Sequence, residues 1–230
     1  MSINVYWACL EDAWLLAEQP ESVSSKFYNT YTFTRDEPQS NINYCPAFND
    51  NLKNLYSLKS IYDFNFIVDG DNVSTDKYDQ KFFDDHVVIR SLRKKFFSFQ
   101  HKYIFFTDSP SLKTTFYEYP FLEDNNITSR CIIPAGTFDI GRWFRNTEFA
   151  FFLKNGFNEF KITKGEVYSY VRFHTEESIT FKQFRYTEKL DSYKRDCFQL
   201  TINPMKRLTN YYNNFKHKKL ILREIQENLL

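Results

Sequence analysis

The chain has 230 residues, is 42% hydrophobic and 20% aromatic, and carries a formal net charge of +1. That near-neutral balance excludes overall charge as a means of selecting nucleic acid or a membrane surface. The ordinary charged fraction, 26%, excludes disorder over most of the length.

A chain of this size can bury a core without covalent staples, and one domain over residues 1–230 is expected. Phe (26), Tyr (16) and Trp (3) greatly outnumber Gly (5), so the composition leans toward sheet and toward a core rich in rings. Cys9, Cys45, Cys131 and Cys197 are scattered, with no paired spacing. The first residues show no secretory leader, and no apolar run is long enough to span a membrane. Free thiols in a reducing cytosol are therefore expected.

In chain order, Ile3–Cys9 reads as a buried strand, and Asp12–Gln19 as a short helix ended by Pro20. Glu21–Asn43 reads as a polar loop with a possible strand at Tyr28–Phe33. Cys45–Leu58 has helical spacing, with Pro46 near its first turn. Ser60–Val68 alternates as a strand, and Asp69-Gly70-Asp71-Asn72 is a turn able to close a hairpin. His86–Arg90, Phe96–Phe99, Tyr103–Thr107 and Thr128–Pro134 read as strands.

Thr147–Lys154, Phe157–Thr163, Glu166–His174 and Ser178–Thr187 are strand-like runs split by Asn155-Gly156, Lys164-Gly165 and Thr175-Glu176-Glu177. Asn-Gly between alternating runs is a strong hairpin signal, so an antiparallel meander is expected over 147–187. Lys206–Leu229 reads as one C-terminal helix with an apolar stripe broken at Lys218. The expected fold is α+β. Its core is an antiparallel sheet or two-sheet sandwich, with N-terminal helices and a long C-terminal helix packed on it.

Several clusters invite chemistry. His174 and Glu176 share a strand face, and with His217 they supply two imidazoles and a carboxylate, the donor set of some iron sites. The alternative is a polar turn after a strand. Asp84-Asp85-His86 cannot converge on one strand face, and reads as helix capping or a solvated loop. Asp69, Asp71 and Asp76 only imitate a calcium loop. Arg90 to Lys102 mixes basic and aromatic residues, which suits base stacking or a guarded sheet edge.

Lys206, Arg207, Lys216, Lys218, Lys219 and Arg223 form a stretch without carboxylates between Cys197 and Arg223. It suits an acidic partner such as nucleic acid, or the wet side of a helix. Gly136–Arg145 holds two of the five glycines beside Arg142, Trp143 and Arg145. Guanidinium forks suit phosphate or carboxylate, so these three are the ligand-binding candidates; the alternative is a turn anchored by Trp143. No catalytic signature and no cofactor motif is present.

Cys45-Pro46-Ala47-Phe48, Tyr103-Ile104-Phe105-Phe106-Thr107, Pro134 to Gly141 with Trp143-Phe144-Arg145, and Lys164-Gly165-Glu166 with Tyr170 to Phe173 resemble a family of uncharacterised proteins encoded by tailed bacteriophages of marine bacteria. The likeness covers about residues 45–187. It implies a phage gene expressed in a bacterial cytoplasm, and it carries over no catalytic residue. The functional expectation is a non-enzymatic accessory protein that binds a host protein, a virion component or its own copies. One alternative is an enzyme or small-ligand or metal-binding protein with its pocket near Gly136–Arg145 and His174. The other is nucleic-acid binding through the C-terminal helix.

Overall fold

The computed structural model describes residues 2–10, 17–25, 45–75, 80–117, 126–199 and 208–230. The fold is α+β, and among the described residues the strands form three sheets. The first sheet runs β14 (Ser178–Gln183), β1 (Ser2–Cys9), β7 (Phe96–Thr107), β11 (Asn146–Leu153) and β9 (Cys131–Ile132), with β6 (Val87–Ser91) also paired to β7. The second runs β10 (Gly136–Asp139), β8 (Lys113–Tyr117), β13 (Val167–Phe173), β3 (Leu55–Lys59) and β2 (Glu21–Ser22). The third, smaller sheet is β12 (Glu159–Ile162), β4 (Phe64–Asp69) and β5 (Asn72–Ser74).

The main core lies where the three sheets face one another. Phe97, Phe105, Phe149 and Phe151 come from the first sheet, Val171 and Phe173 from the second, and Phe64, Phe66 and Phe160 from the third. Phe66 sits 5.2 Å from Phe160 and 5.0 Å from Phe97, centroid to centroid. Such ring contacts add to the burial of area that dominates core stability.

The helices are α1 (Pro46–Leu52), α2 (Gln80–His86), α3 (Asn126–Arg130), α4 (Glu188–Gln199), α5 (Leu208–Asn214) and α6 (Lys218–Glu227). β1 and β7 are buried on both faces, so each serves two layers. Val5, Trp7 and Phe105 enter the main core, while Tyr6, Ala8, Ile104 and Phe106 meet Leu190 of α4 and Ile221 and Ile225 of α6. On the other side of the molecule, Leu52 of α1 packs with Leu55, Val167 and Tyr170 of the second sheet.

The expected meander does not form. Its four strands are present near their expected bounds, but β11 pairs with β7 and β9, β12 with β4, β13 with β3 and β8, and β14 runs parallel to β1. β11 alternates buried and half-buried residues, as a strand with one covered face does, whereas β13 is buried on nearly every residue and sits mid-sheet. Asn155-Gly156 makes a turn, with Gly156 at φ +91°, but the chain then leaves the first sheet for the third.

The C-terminal helix is two helices, α5 and α6, interrupted at residues 215–217; Lys206 and Arg207 lie outside the described residues. Ile221 and Ile225 of α6 are fully buried, whereas Leu208, which opens α5, and Leu229, which follows α6, are exposed. The helix expected at Cys45–Leu58 stops at Leu52, because Asn54 adopts φ +52° and turns the chain into β3. Of the strand expected at Thr128–Pro134 only the short β9, Cys131–Ile132, forms; the residues before it end helix α3. The two runs expected at Phe96–Phe99 and Tyr103–Thr107 are one strand, β7, and helix α4 has no counterpart in the sequence reading.

The Asp69–Asn72 hairpin forms, with Gly70 at φ +58°. The calls at Asp12–Gln19 and Tyr28–Phe33 fall largely or wholly outside the described residues. All four cysteines are free thiols: Cys9, Cys131 and Cys197 are buried and Cys45 is exposed. No helix among the described residues is long and apolar enough to cross a membrane.

Candidate functional site

The chain crosses from the second sheet to the first through Ile140–Arg145, between β10 and β11. Asp139 fixes this crossing. Its carboxylate is 1% exposed and accepts from Ser111 Oγ (2.6 Å), from the Leu112 and Gly141 amides (3.1 and 3.0 Å) and from Arg142 Nε (2.8 Å). Burial pushes the carboxyl group upward, but the bonds from Ser111, Arg142 and the two amides outweigh it, and the net shift is downward.

Gly141 is required here because a Cβ would stand 2.7 Å from the Ser109 carbonyl oxygen. Lys218, at the start of α6, donates to the carbonyls of Ser109 and Gly141 and lies 5.9 Å above the Phe106 ring. One buried carboxylate and one lysine thus tie two connections and the last helix together.

Side chains leave this crossing in opposite directions. Phe144 is fully buried among the C-terminal helices, 5.2 Å from Phe106. Trp143 meets Tyr211 and Tyr212 of α5. Between the crossing and the two sheets lies a slot of about 90 Å³. Phe105, Phe116, Phe138, Ile140 and Trp143 make its apolar walls, and Arg145, Asn146, Thr147 and Glu148 its lip.

At the lip, Glu148 receives Arg145 through one oxygen and Arg90, at 2.6 Å, through the other. Arg145 and Glu148 are mostly shielded, 17% and 20% exposed, whereas Arg90 is 42% exposed and lies outside the lining of the slot. A register irregularity falls at the same point: Asn146 opposes Ile104 of β7, whereas Glu148 opposes Gln100. Such bulges re-aim side chains, and they concentrate near binding and active sites.

Of the three ligand-binding candidates, Trp143 and Arg145 border the slot. Arg142 does not; it serves Asp139 and lies 5.4 Å above the Tyr212 ring. Sequence reasoning placed a pocket near Gly136–Arg145, which contains Phe138, but missed Glu148, Phe105 and Phe116, which only the pairing of distant strands brings to it.

The metal triad is not assembled. β13 ends at Phe173, so His174 and Glu176 do not share a strand face. His174 Nε2 lies 2.7 Å from Thr115 Oγ1, Glu176 pairs with Lys53, and His217 precedes α6 beside Tyr193, in the helical layer. Burial, then Arg172 and Lys113, holds the His174 imidazole below its ordinary pKa. Among the described residues no three His, Cys, Asp or Glu side chains are placed to hold a metal ion. The groove at His174 has a volume of about 390 Å³; there Lys53 is ion-paired with Glu176, and Arg172 donates to the Asn51 amide oxygen and the Asp50 carbonyl of α1.

His86 lies on α2, with Nδ1 2.7 Å from the Phe82 carbonyl oxygen, and Asp84 accepts from Gln80. In the C-terminal basic set, Lys218 turns inward and Arg223 pairs with Glu227, while Lys216 and Lys219 are exposed. No family model, curated protein or solved structure matches this chain.

Proposed function

We propose that this protein works by binding, and that its binding site is the slot between the sheets at Trp143 and Arg145. The observation that carries the reading is the pairing of an apolar hollow with a shielded, charged lip, in a core otherwise filled by interlocking rings. Ligand sites are concave and largely apolar, with few polar groups that fix orientation. The charged lip groups, Arg145 and Glu148, are ion-paired to each other, and a guanidinium does not give up its proton at neutral pH. They suit holding a ligand rather than moving protons, which favours a non-enzymatic role. The likeness of Pro134–Arg145 and Tyr103–Thr107 to proteins of marine tailed phages supplies the proposed setting: an accessory protein in the cytoplasm of an infected bacterium.

Ligand-observed NMR with a panel of small aromatic and aliphatic compounds tests the reading. Some members bind the intact chain, and Ile140→Phe, which fills the slot, abolishes that binding without lowering Tm. A panel in which nothing binds, or in which Ile140→Phe changes nothing, removes the slot as the site.

A second reading, association with a protein partner or another copy, rests on β9 and its neighbours. Ile132 is 54% exposed beside Phe152, which stacks on Phe96 at 4.2 Å. Light scattering on the purified chain tests it, since a monomer with no self-association removes the second-copy form. The basic stretch supports nucleic-acid binding less well, because Lys218 and Arg223 are engaged within the protein.

A further inference from the structure

We infer that two copies of this chain pair through the outer edge of β14, antiparallel and about a two-fold axis at Thr180. The inference stands apart from the slot proposed above, and it places self-association at β14 rather than at β9.

β14 closes one side of the first sheet, and at six residues it is the longest edge strand among the described residues. Its register with β1 is unbroken from Ser178 to Gln183. It has neither proline nor bulge, the devices that keep many edges from pairing. The direction of its outward groups follows from two bonds. Phe184 donates its amide to the Trp7 carbonyl of β1, whereas the Gln183 carbonyl accepts from Leu230 on the opposite side. Successive residues of a strand turn their N–H and C=O groups to opposite neighbours, so Ile179 and Phe181 aim theirs away from β1. No backbone group among the described residues meets them there. The edge already accepts an antiparallel neighbour at its far end, where Leu229 bridges Phe184.

The residues of this edge suit a second copy of themselves. With Thr180 facing Thr180, Ile179 of one copy falls opposite Phe181 of the other, and Ser178 opposite Lys182. Ile179 and Phe181 are then the residues that exchange both backbone bonds, which is the pairing their outward groups require. Their side chains pack partly on the main core and give one aliphatic–aromatic cross-strand pair on each side of the axis. No like charges are opposed. The chain enters β14 from Glu177 and leaves it toward Arg185, so antiparallel pairing brings Glu177 of each copy toward Lys182 and Arg185 of the other. Glu177 and Arg185 are exposed, and none of the three is ion-paired within its own copy among the described residues. The charges at the two ends of the edge are thus complementary across the axis.

Sedimentation velocity on the intact chain over a concentration series tests the assignment, with Thr180→Lys and Thr180→Asp as variants. Thr180 is exposed and gives up only a bond to Ser2 Oγ, so both variants keep a Tm close to that of the native chain. The native chain sediments as a concentration-dependent dimer. Either variant sets like charges face to face at the axis and weakens the dimer by about tenfold or more. An equimolar mixture of the two sets Lys against Asp and restores it, which a merely misfolded variant does not do. A native chain that is monomeric at every concentration overturns the inference. A dimer that both variants leave unchanged overturns it too, and hands self-association to the β9 face. Variants that stay monomeric when mixed overturn the two-fold at Thr180. Each of these outcomes leaves the slot reading as it stands.

Discussion

Asn54 holds a backbone shape that few side chains tolerate, and it is rewarded for doing so. Its φ of +52° turns the chain from α1 into β3, and its amide donates to the carbonyls of Thr175 (2.8 Å) and Glu177 (2.9 Å). Glycine would accept the turn but lose both bonds, and alanine would lose the bonds and add left-handed strain of roughly 1 kcal/mol. Asn54→Gly is therefore expected to cost about 1 kcal/mol and Asn54→Ala about 2, measured by urea unfolding.

Asp139 makes a different kind of prediction. Its carboxyl group titrates lower in the folded chain than in the unfolded one, so its contribution to stability is complete above the ordinary carboxylate range. That contribution is lost as pH falls through the folded value. The Tm gap between the native chain and Asp139→Asn is expected to be wide at pH 6 and to narrow toward pH 3.

At the scale of elements, the docking of α6 depends on few residues. Ile221 and Ile225 are fully buried, and Ile221 meets a layer built from Ile104, Phe106 and Phe184. Ile221→Ala is expected to cost about 3 kcal/mol, and to raise amide hydrogen exchange in α6 before it does so in β11 or β13.

This scale also shows what could be read from sequence. Alternation located β11, β12, β13 and β14 to within a few residues, and the Asp69–Asn72 turn was read with its hairpin, because period and turn chemistry are local. Strand partners are not local. Nothing in Asn155-Gly156 says that Phe160 must reach Phe66 rather than Phe151's neighbours within its own sheet. The stripe does falter at Lys218, where α6 begins, but one missing apolar position in a helical pattern does not by itself say that the helix stops at residues 215–217.

For the whole molecule, the same division separates the legible half of the site from the hidden half. Trp143 and Arg145 stood out because glycine is rare in this chain and two glycines fall beside them. Phe116 and Phe138 looked like any other rings until β8 and β10 closed the second sheet against Phe105. A chain with so many aromatics offers many possible walls, and only topology chooses among them. His174 and Glu176 illustrate the converse, since adjacency in sequence promised a shared face that the end of β13 removes.

The parallel pairing of β1 with β14 couples Ser2 to Ser178 and Trp7 to Gln183. A ribosome adding roughly 5–20 residues per second has left β1 without this neighbour for several seconds or more by the time β14 emerges. Through that interval a strand carrying Val5, Tyr6, Trp7 and Ala8 waits with an open edge, a template for chains on neighbouring ribosomes. Crowded polysomes are thus the hazard this topology creates, and yield in the cell should fall with the rate of initiation faster than the stability of the finished fold would suggest.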